Sequence, residues 1–590
     1  MLRNIRVQLI IFLCKCEFLG ANRQLTKAIR AIAYCTVFMG SLSGDGSEFT
    51  TAYAQAQSDT DETFFFESQV PFRVYAFRPE IVFRSPFADY HVGLTTVRSN
   101  TVFQVRDNAD WYVQPAFASI NTRQFEATCT EIREHQIPGL SLQPTGFSSV
   151  AKLQISKDGW EKLGSLDSLT YLSLSSIQDP DAIRAALSQL GKLRKLQDLD
   201  LSNSSVEGSQ LSGISELPEL RRLDLSMTRI GEKGVAHLSR VSSLEALAMR
   251  GVRIDGIGID WLTHFTQLEY LDLSYNKSRS VDWGGLHVLR NLRTLDLGNT
   301  AVNDDMVLKL QQLEQLKSIG LADTNITDTG ASHLASLQQL KSLNVSGTGL
   351  SDEGLAALTQ LGQLEELSLS RCGHISEKGI NTITLLTQLI SIDLSSSQVT
   401  NDNIAEITKH LRLHYVILGD TAIDDRGLEA LGKSTSLRGL ILPNTKVTDR
   451  GVAQLAECKS LQFLDLSNTA ISSQALLTIA QLPDLETLIL RGTRVTDEGI
   501  GHIAGKLPKL QMLDLSETNI TDKSLIICCN LPGVWLLNVM GCRQITNDGI
   551  AFLAAMPNLS LLQARIDTPL VTGDALHGLM LKSGGTLTIE

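Results

Sequence analysis

The sequence predicts an α/β solenoid in which a short strand and a helix alternate along the chain. The first observation is a unit of 24 residues that returns from about residue 169 onward. LRRLDLSMTRIGEKGVAHLSRVSS begins at Leu220, and LKSIGLADTNITDTGASHLASLQQ begins at Leu316. The second observation is that leucines alternate with polar residues in one half of the unit and follow helical spacing in the other half. A period of this length is typical of proteins built from stacked repeats.

The strand half of the unit is clear in LRTLDLGNT, residues 292–300. Leu295 and Leu297 alternate with Thr294 and Asp296, and this period of two gives a strand one buried face. In SDEGLAALTQL, residues 351–361, leucines follow helical spacing. Ser351 stands where an N-cap belongs, and an acidic residue follows in the first turn, where it suits the helix dipole. Because stacked units bury a continuous core, we expect parallel strands on a concave face and helices on a convex face.

The consensus LxxLxLxxTxITDxGLxxLxxLxx resembles the leucine-rich repeat family from about residue 169 to the C-terminus. It is most similar to the TDxGL subtype of bacterial repeat proteins and of the cysteine-containing repeats of F-box proteins. The resemblance implies a horseshoe-shaped solenoid that binds ligands on its concave strand face. It also implies that the residue after each strand bonds loop carbonyls of the adjacent turn. Thr300, Thr324, Cys372 and Cys542 occupy that position, and Val252 is an exception.

The repeat register divides the chain into five segments. Residues 1–56 are predicted to be a signal or targeting segment, or otherwise disordered. Residues 57–136 are rich in aromatic side chains and are predicted to form a small β-rich or irregular N-terminal cap. Residues 137–168 are predicted to hold irregular first repeats, residues 169–558 the regular repeats, and residues 559–590 a degenerate capping repeat. Caps are expected because the ends of a solenoid core need cover.

The N-terminal segment bears on localisation. Its apolar runs, VQLIIFLC at residues 7–14 and AIAYCTVFMG at residues 31–40, are shorter than the about 18 residues of a membrane span. The second run follows Arg23, Lys27 and Arg30 and precedes AYAQA, which is similar to a signal-peptidase site. We therefore predict no transmembrane span. Export to the periplasm or the extracellular space is favoured slightly over a cytoplasmic location.

Charge and cysteine content exclude several classes of site. The net charge is −12, and the first 30 residues are basic, so the repeats form an acidic body that lacks the basic stripe of a nucleic-acid-binding protein. The nine cysteines show neither disulfide-framework nor zinc spacing. Cys458 and Cys528 replace core leucines and are expected to be buried. No metal site and no cofactor are predicted.

Two short motifs imitate catalytic loops. GLEALGKS, residues 427–434, matches the template of a phosphate-binding loop, and TDTGAS, residues 327–332, is similar to the catalytic loop of an aspartic protease. A phosphate loop needs free backbone N–H groups between a strand and a helix. The repeat register instead places GLEALGKS within a helix and makes Asp328 a helix-start residue found in many units. Neither motif is therefore predicted to be catalytic.

The outward strand positions give two candidate binding surfaces. The C-terminal repeats present a run of apolar side chains, and contiguous exposed apolar patches mark interaction sites. This predicted partner-binding patch consists of Tyr415, Ile417, Ile441, Phe463, Ile489, Met512, Leu536 and Met540. A secondary acidic stripe consists of Asp200, Asp224, Asp272 and Asp296, whose neighbouring carboxylates repel unless a cation or metal lies between them.

These observations favour a non-enzymatic scaffold for protein–protein interaction that binds a protein or peptide on its concave face. The alternative is a substrate-recognition adaptor of an intracellular complex similar to an F-box ubiquitin ligase. Processing near Ala56 would favour the exported scaffold, and an intact N-terminus would keep the adaptor open. The sequence does not name the ligand, because a repeat surface is generic and a fold does not determine function.

Overall fold

The structure is a computed structural model of the chain. It describes residues 63–66, 72–77, 92–97, 101–104, 110–115, 120–143, 153–254, 256–278, 281–564, 570–582 and 588–589. The predicted targeting segment, residues 1–56, lies outside the described residues.

The strands of the repeats are three residues long. In chain order the described strands are β1 Thr63–Phe66, β2 Phe72–Phe77, β3 Val92–Val97, β4 Thr101–Gln104, β5 Asp110–Pro115, β6 Gly139–Ser141, β7 Tyr171–Ser173, β8 Asp198–Asp200, β9 Arg222–Asp224, β10 Ala246–Ala248, β11 Tyr270–Asp272, β12 Thr294–Asp296, β13 Ser318–Gly320, β14 Ser342–Asn344, β15 Glu366–Ser368, β16 Ser391–Asp393, β17 Tyr415–Ile417, β18 Gly439–Ile441, β19 Phe463–Asp465, β20 Thr487–Ile489, β21 Met512–Asp514, β22 Leu536–Asn538, β23 Leu561–Gln563 and β24 Thr588–Ile589.

Short helices alternate with these strands. The described α-helices are α1 Thr122–His135, α2 Lys157–Glu161, α3 Pro180–Leu187, α4 Gly231–Leu238, α5 Gly256–Leu262, α6 Asp304–Leu310, α7 Asp328–Leu334, α8 Asp352–Leu358, α9 Glu377–Asn381, α10 Asn401–His410, α11 Asp425–Leu431, α12 Asp449–Val452, α13 Ala475–Ile479, α14 Asp497–Ile503, α15 Asp522–Cys528, α16 Asn547–Phe552 and α17 Gly573–Lys582. Two repeats have a 3₁₀ helix in place of the α-helix, at Gly208–Glu216 and Trp283–Val288. Further 3₁₀ turns lie at Leu163–Ser165, Leu190–Lys192, Thr382–Leu385, Ala453–Glu457 and Leu553–Ala555.

Strands β6 to β24 form one parallel sheet in which neighbours in sequence are neighbours in space. The register is constant, so that Leu271 of β11 pairs with Leu295 of β12. The middle residue of a strand is buried, and in most repeats the first and third residues are half-buried. Leu295 and Leu297 are fully buried, as the alternation predicts. The predicted fold, an α/β leucine-rich repeat solenoid with parallel strands on one side and helices on the other, is confirmed.

The aromatic-rich segment before the repeats contributes antiparallel strands. Strand β2 pairs with β3 on one side and β5 on the other, and β5 continues into the parallel sheet through Val113, which pairs with Leu140 of β6. Strands β1 and β4 form a separate antiparallel pair. These strands lie where the β-rich cap is predicted, and their capping role stays a prediction.

The turn after each strand differs in part from the prediction. Where the position after the strand holds threonine or serine, the side chain donates within its own turn, as Thr300 Oγ1 does to Leu297 O at 2.5 Å. The prediction of a bond to the adjacent turn is therefore wrong for these residues. It holds for Asn276, whose Nδ2 donates to Met249 O at 2.9 Å, and for Cys372, whose Sγ lies 3.3 Å from Val345 O. At this position the hydroxyl therefore bonds within its own turn, whereas the longer amide and the larger sulfur atom contact a carbonyl of the preceding repeat.

An aspartate at the start of many outer helices joins consecutive repeats. Asp328 accepts hydrogen bonds from the backbone N–H of Ser351 at 2.8 Å, from its hydroxyl at 2.6 Å and from the N–H of Gly354 at 3.0 Å. The same bonds to a serine or threonine of the next repeat recur at Asp304, Asp352, Asp425, Asp449, Asp497 and Asp522. A Cβ on Gly354 would overlap Asp328 Oδ1. The T-D-x-G signature is therefore a lateral connection, and its aspartate does more than complement the helix dipole.

Candidate binding surface on the repeat sheet

One face of the repeat sheet packs on the helices, and we call the other its open face. The first and third residues of each strand lie on the open face, because alternate side chains of a strand point in opposite directions. Two rows of side chains therefore run across the sheet, the first-position row and the third-position row. Neighbouring members of a row lie about 4.8 Å apart. This face corresponds to the concave face of the prediction.

All eight side chains of the predicted partner-binding patch are half-buried. Ile417 pairs with Ile441 in the third-position row of β17 and β18. Met512 pairs with Leu536 in the first-position row of β21 and β22. The structure thus brings the predicted residues to one face, but it does not make a continuous apolar row. Asp465 lies between Ile441 and Ile489 in the third-position row.

Tyr415 extends the apolar surface across a glycine. Gly439 pairs with Tyr415 on one side and with Phe463 on the other in the first-position row. A Cβ on Gly439 would overlap Tyr415 Cδ1, so the tyrosine ring lies across the space that a side chain would occupy. The small residue therefore lets the ring cover the backbone between the two strands.

The acidic stripe is built into the turns. Asp200 pairs with Asp224, and Asp272 pairs with Asp296, while Ala248 separates the two pairs. Each Oδ1 atom accepts the backbone N–H two residues later, at 2.9 Å for Asp200 and 2.8 Å for the other three. These aspartates therefore stabilise the turn at the end of each strand. The sequence prediction did not include this role, although a serine or glycine follows each aspartate by two positions.

Burial opposes ionisation of three members of the stripe. Burial, with a smaller contribution from the negative charge of Asp200, raises the pKa of Asp224 to about 7. Burial, followed by the charge of Asp272, raises the pKa of Asp296 to about 6, and burial also raises the pKa of Asp272. The positive charge of Arg250 acts in the opposite direction and lowers the pKa values of Asp272 and Asp296. The guanidinium group of Arg250 lies 4.1 Å from the centre of the Tyr275 ring. Part of the repulsion is therefore relieved by Arg250 of the same chain, a residue that the sequence interpretation did not select.

We expect Asp224→Asn to raise the free energy of unfolding at pH 8 by about 1–2 kcal/mol, since at this pH the folded protein must keep a buried, ionised carboxylate that the substitution removes. A carboxyl group whose pKa is higher in the folded than in the unfolded protein contributes full stability at pH values below its unfolded-state pKa. This contribution is lost as the pH rises to the folded-state pKa. The difference between wild type and variant should therefore grow from about pH 4 to pH 7. Urea unfolding at several pH values measures it.

Asparagine keeps the strand-end turn, because Asn344 Oδ1 accepts the N–H of Ser346 at 3.0 Å in the same position of another repeat. The matched control is Asp393→Asn, since the residues that pair with Asp393 are Ser368 and Ile417, and neither of them carries a carboxylate. Equal pH slopes for wild type and Asp224→Asn would contradict the prediction.

The two imitation motifs lie in outer helices, with one difference from the prediction. Residues 427–431 of GLEALGKS belong to α11, whereas residues 432–434 form the turn after it. In GLEALGKS the N–H of Gly432 donates to Leu428 O at 2.8 Å, and the N–H of Ser434 donates to Leu431 O at 2.9 Å. Lys433 Nζ lies 3.6 Å from Glu429 Oε1. These N–H groups are already used within the helix and its end, so they do not form a phosphate cradle. In TDTGAS, Asp328 is occupied by its bonds to the next repeat.

Comparison with protein families identifies the repeated region. Residues 283–527 match the family described as "Leucine-rich repeat region", and residues 242–302 match "Leucine rich repeat". The chain carries leucine-rich repeat regions. The bacterial or F-box-like subtype stays a prediction. No curated protein matches the chain in sequence.

Several solved structures of repeat proteins are similar to the chain. An internalin from Listeria monocytogenes is 24% identical over 54% of this chain and 86% of its own, with a TM-score of 0.38. A leucine-rich repeat protein from Leptospira interrogans is 21% identical over 63% of this chain and 96% of its own, with a TM-score of 0.35. The ectodomain of a membrane receptor kinase from Arabidopsis thaliana is 18% identical over 70% of this chain and 56% of its own, with a TM-score of 0.31.

Two further features of the described residues bear on the site. They contain no group of three or more histidine, cysteine, aspartate or glutamate side chains placed to hold a metal ion. None of their helices has the length and apolar character that a membrane span requires.

Proposed function

We propose that the chain is a non-enzymatic binding scaffold that recognises a protein or peptide on the open face of its leucine-rich repeat sheet. The observation that supports this function is the patch of Tyr415, Ile417, Ile441, Phe463, Ile489, Met512, Leu536 and Met540, which lies on the face of the sheet opposite the described helices of the repeats. A cluster of apolar side chains on an exposed face marks a candidate interaction site, even where a polar residue such as Asp465 interrupts it. The adaptor reading gains no support from the matched regions, which cover repeats alone.

The strands that carry the patch are held in place by backbone pairing, turn hydrogen bonds and the buried core. Its strands share one register, and the residue that follows each strand is held by a turn bond such as that of Thr445 Oγ1 to Leu442 O at 2.8 Å. The middle strand residues Val416, Leu440 and Leu464 are fully buried. A partner would therefore meet side chains whose backbone is already ordered, which lowers the entropic cost of binding.

We expect Ile441→Asp combined with Phe463→Ala to abolish binding and to leave the fold intact. Both side chains are half-buried on the open face, and the third-position row already holds a pair of facing aspartates, Asp200 and Asp224, in other repeats. The measurement is selection of short random peptides displayed on phage against the purified full chain, followed by titration calorimetry of the enriched peptides. We expect the affinity for these peptides to fall by more than about tenfold, which is about 1.4 kcal/mol.

The matched control is Asn344→Asp combined with Ser318→Ala, which changes the same two rows outside the patch. This variant should bind the peptides as the wild type does. Undiminished binding by the Ile441→Asp, Phe463→Ala variant, or a selection that yields no binders, would contradict the proposed function.

A further inference from the structure

The carboxylate of Asp465 interrupts the apolar patch at its centre. It lies between Ile441 and Ile489 in the third-position row, and Phe463 precedes it by two residues on the same face. All four side chains are half-buried. Any segment that packs on the isoleucines must therefore also cover Asp465.

One oxygen of Asp465 is satisfied within the chain. Oδ1 accepts the backbone N–H of Ser467 at 2.8 Å and also its hydroxyl. Oδ2 accepts no hydrogen bond from the described residues, and none of their lysine, arginine or histidine side chains forms an ion pair with Asp465. Burial, only partly offset by the bonds from Ser467, raises the pKa of this carboxyl.

Three other aspartates of the open face have both oxygens or their second oxygen bonded to a side chain of the same chain. Arg222 binds both oxygens of Asp198. Asp393 Oδ2 accepts the hydroxyl of Ser368 at 3.0 Å, and Asp514 Oδ2 accepts Nδ2 of Asn538 at 2.9 Å. Asp465 differs from these three in keeping one oxygen open. Within the part of the chain that the structure describes, Asp224, Asp272 and Asp296 also accept hydrogen bonds through Oδ1 alone, but Asp465 does so between two isoleucines of the apolar patch.

We propose that the partner segment places a cationic side chain, lysine or arginine, on Oδ2 of Asp465, with apolar side chains on either side that pack on Ile441 and Ile489. The inference rests on the proposed function of the patch. A carboxylate that is covered by apolar groups without a partner is costly, whereas a charge-assisted hydrogen bond offsets that cost. Because Oδ1 is already occupied, the cation binds through a single oxygen.

The test compares phage-displayed random peptides selected in parallel on wild type, Asp465→Asn and Asp393→Asn. Asparagine preserves the strand-end turn, since Asn538 Oδ1 accepts the N–H of Met540 at 3.0 Å in the equivalent position. We expect wild type and Asp393→Asn to enrich lysine or arginine flanked by apolar residues. Asp465→Asn should enrich the apolar residues and lose the cation.

A double-mutant cycle then measures the interaction between Asp465 and the cation. Titration calorimetry compares one enriched peptide with a version that has norleucine in place of the cationic residue, on wild type and on Asp465→Asn. The replacement should weaken binding to wild type by about tenfold or more and should leave binding to Asp465→Asn nearly unchanged. If the cation is enriched equally on Asp465→Asn, or if both proteins lose the same affinity, the inference is wrong.

The two proposals fail in different ways. When Ile441→Asp with Phe463→Ala abolishes binding but Asp465→Asn keeps the cation preference, the patch is the binding site and only the role of Asp465 falls. When the double substitution has no effect, the peptides bind elsewhere and both proposals fall.

Discussion

Trp283→Ala should lower the free energy of unfolding by about 3–5 kcal/mol, the range for removing a fully buried tryptophan from a packed core. Trp283 begins the 3₁₀ helix Trp283–Val288 and has no exposed surface. This 3₁₀ helix packs between α5 and α6, so the cavity would lie between consecutive repeats. Urea unfolding followed by circular dichroism measures the loss.

The same substitution should replace the single unfolding transition with two separate transitions. In a solenoid each repeat contacts only its neighbours, and stability is passed along the array through their interfaces. A weakened interface near residue 283 should therefore let the repeats on its two sides unfold separately. Hydrogen exchange should show the largest loss of protection in the strands on either side, β11 and β12.

Two control substitutions separate cavity formation from other effects. The Nε1 atom of Trp283 has no hydrogen-bond partner among the described residues, so Trp283→Phe should cost only about 1–2 kcal/mol through lost volume. Leu385 is 64% exposed on its 3₁₀ turn, and Leu385→Ala should change stability by less than about 0.5 kcal/mol. A Trp283→Ala protein with wild-type stability and one transition would contradict this account of the core.

The repeat register could be predicted from the sequence because it depends on hydrophobic periodicity alone. Leu295 and Leu297 alternate with polar residues, and that alternation determines which strand face is buried. The helical placement of Gly427 and Leu431 followed from the same register. These features are repeated many times, so each unit supports the interpretation of the others.

The roles of the polar side chains could not be predicted in the same way. Asp224 and Asp272 were predicted to belong to a binding surface, and each also gives an oxygen to the turn of its own strand. Asp328 was predicted to suit the helix dipole, and it also joins its repeat to the next one. The pattern held a signal, because a serine or threonine recurs 23 or 24 residues after many of these helix-start aspartates. Its meaning depends on distances between repeats, which a single sequence does not contain.

Asp465 shows a further limit of sequence reasoning. Its position in the outward row and between apolar neighbours is visible in the sequence. Whether its second oxygen is open depends on which donors reach it, and the donors differ even among equivalent aspartates. Ser368 reaches Asp393 and Asn538 reaches Asp514, but Ile441 and Ile489 have nothing to donate. Composition of the adjacent strands therefore decides the chemistry of each carboxylate.

Gly354→Ala should destabilise the protein by about 2–3 kcal/mol, although alanine is the better helix former by about 1 kcal/mol. The added methyl group would overlap Asp328 Oδ1 and lies 3.2 Å from the Asp328 Cα atom. It would push the carboxylate away from Ser351 and weaken the connection between α7 and α8. Thermal or urea unfolding of the full chain measures the loss.

The double variant identifies the cause of that loss. Asp328→Ala alone should cost about 1–2 kcal/mol, because it removes the acceptor for Ser351 and Gly354. In the Asp328→Ala background the overlap with the carboxylate is gone, so Gly354→Ala should cost less than about 1 kcal/mol. Strict additivity would show that the glycine serves some purpose other than room for the aspartate.

The connection should also respond to pH. Partial burial of Asp328 acts against its ionisation, but the hydrogen bonds from Ser351 and Gly354 prevail and lower its pKa. A carboxyl group whose pKa is lower in the folded than in the unfolded protein contributes stability at pH values above its unfolded-state pKa. This contribution is lost as the pH falls through the folded-state pKa. The difference between wild type and Asp328→Ala should therefore be constant near neutral pH and shrink below about pH 4. A difference that stays constant into acid would mean that the ionised carboxylate is not what joins the two repeats.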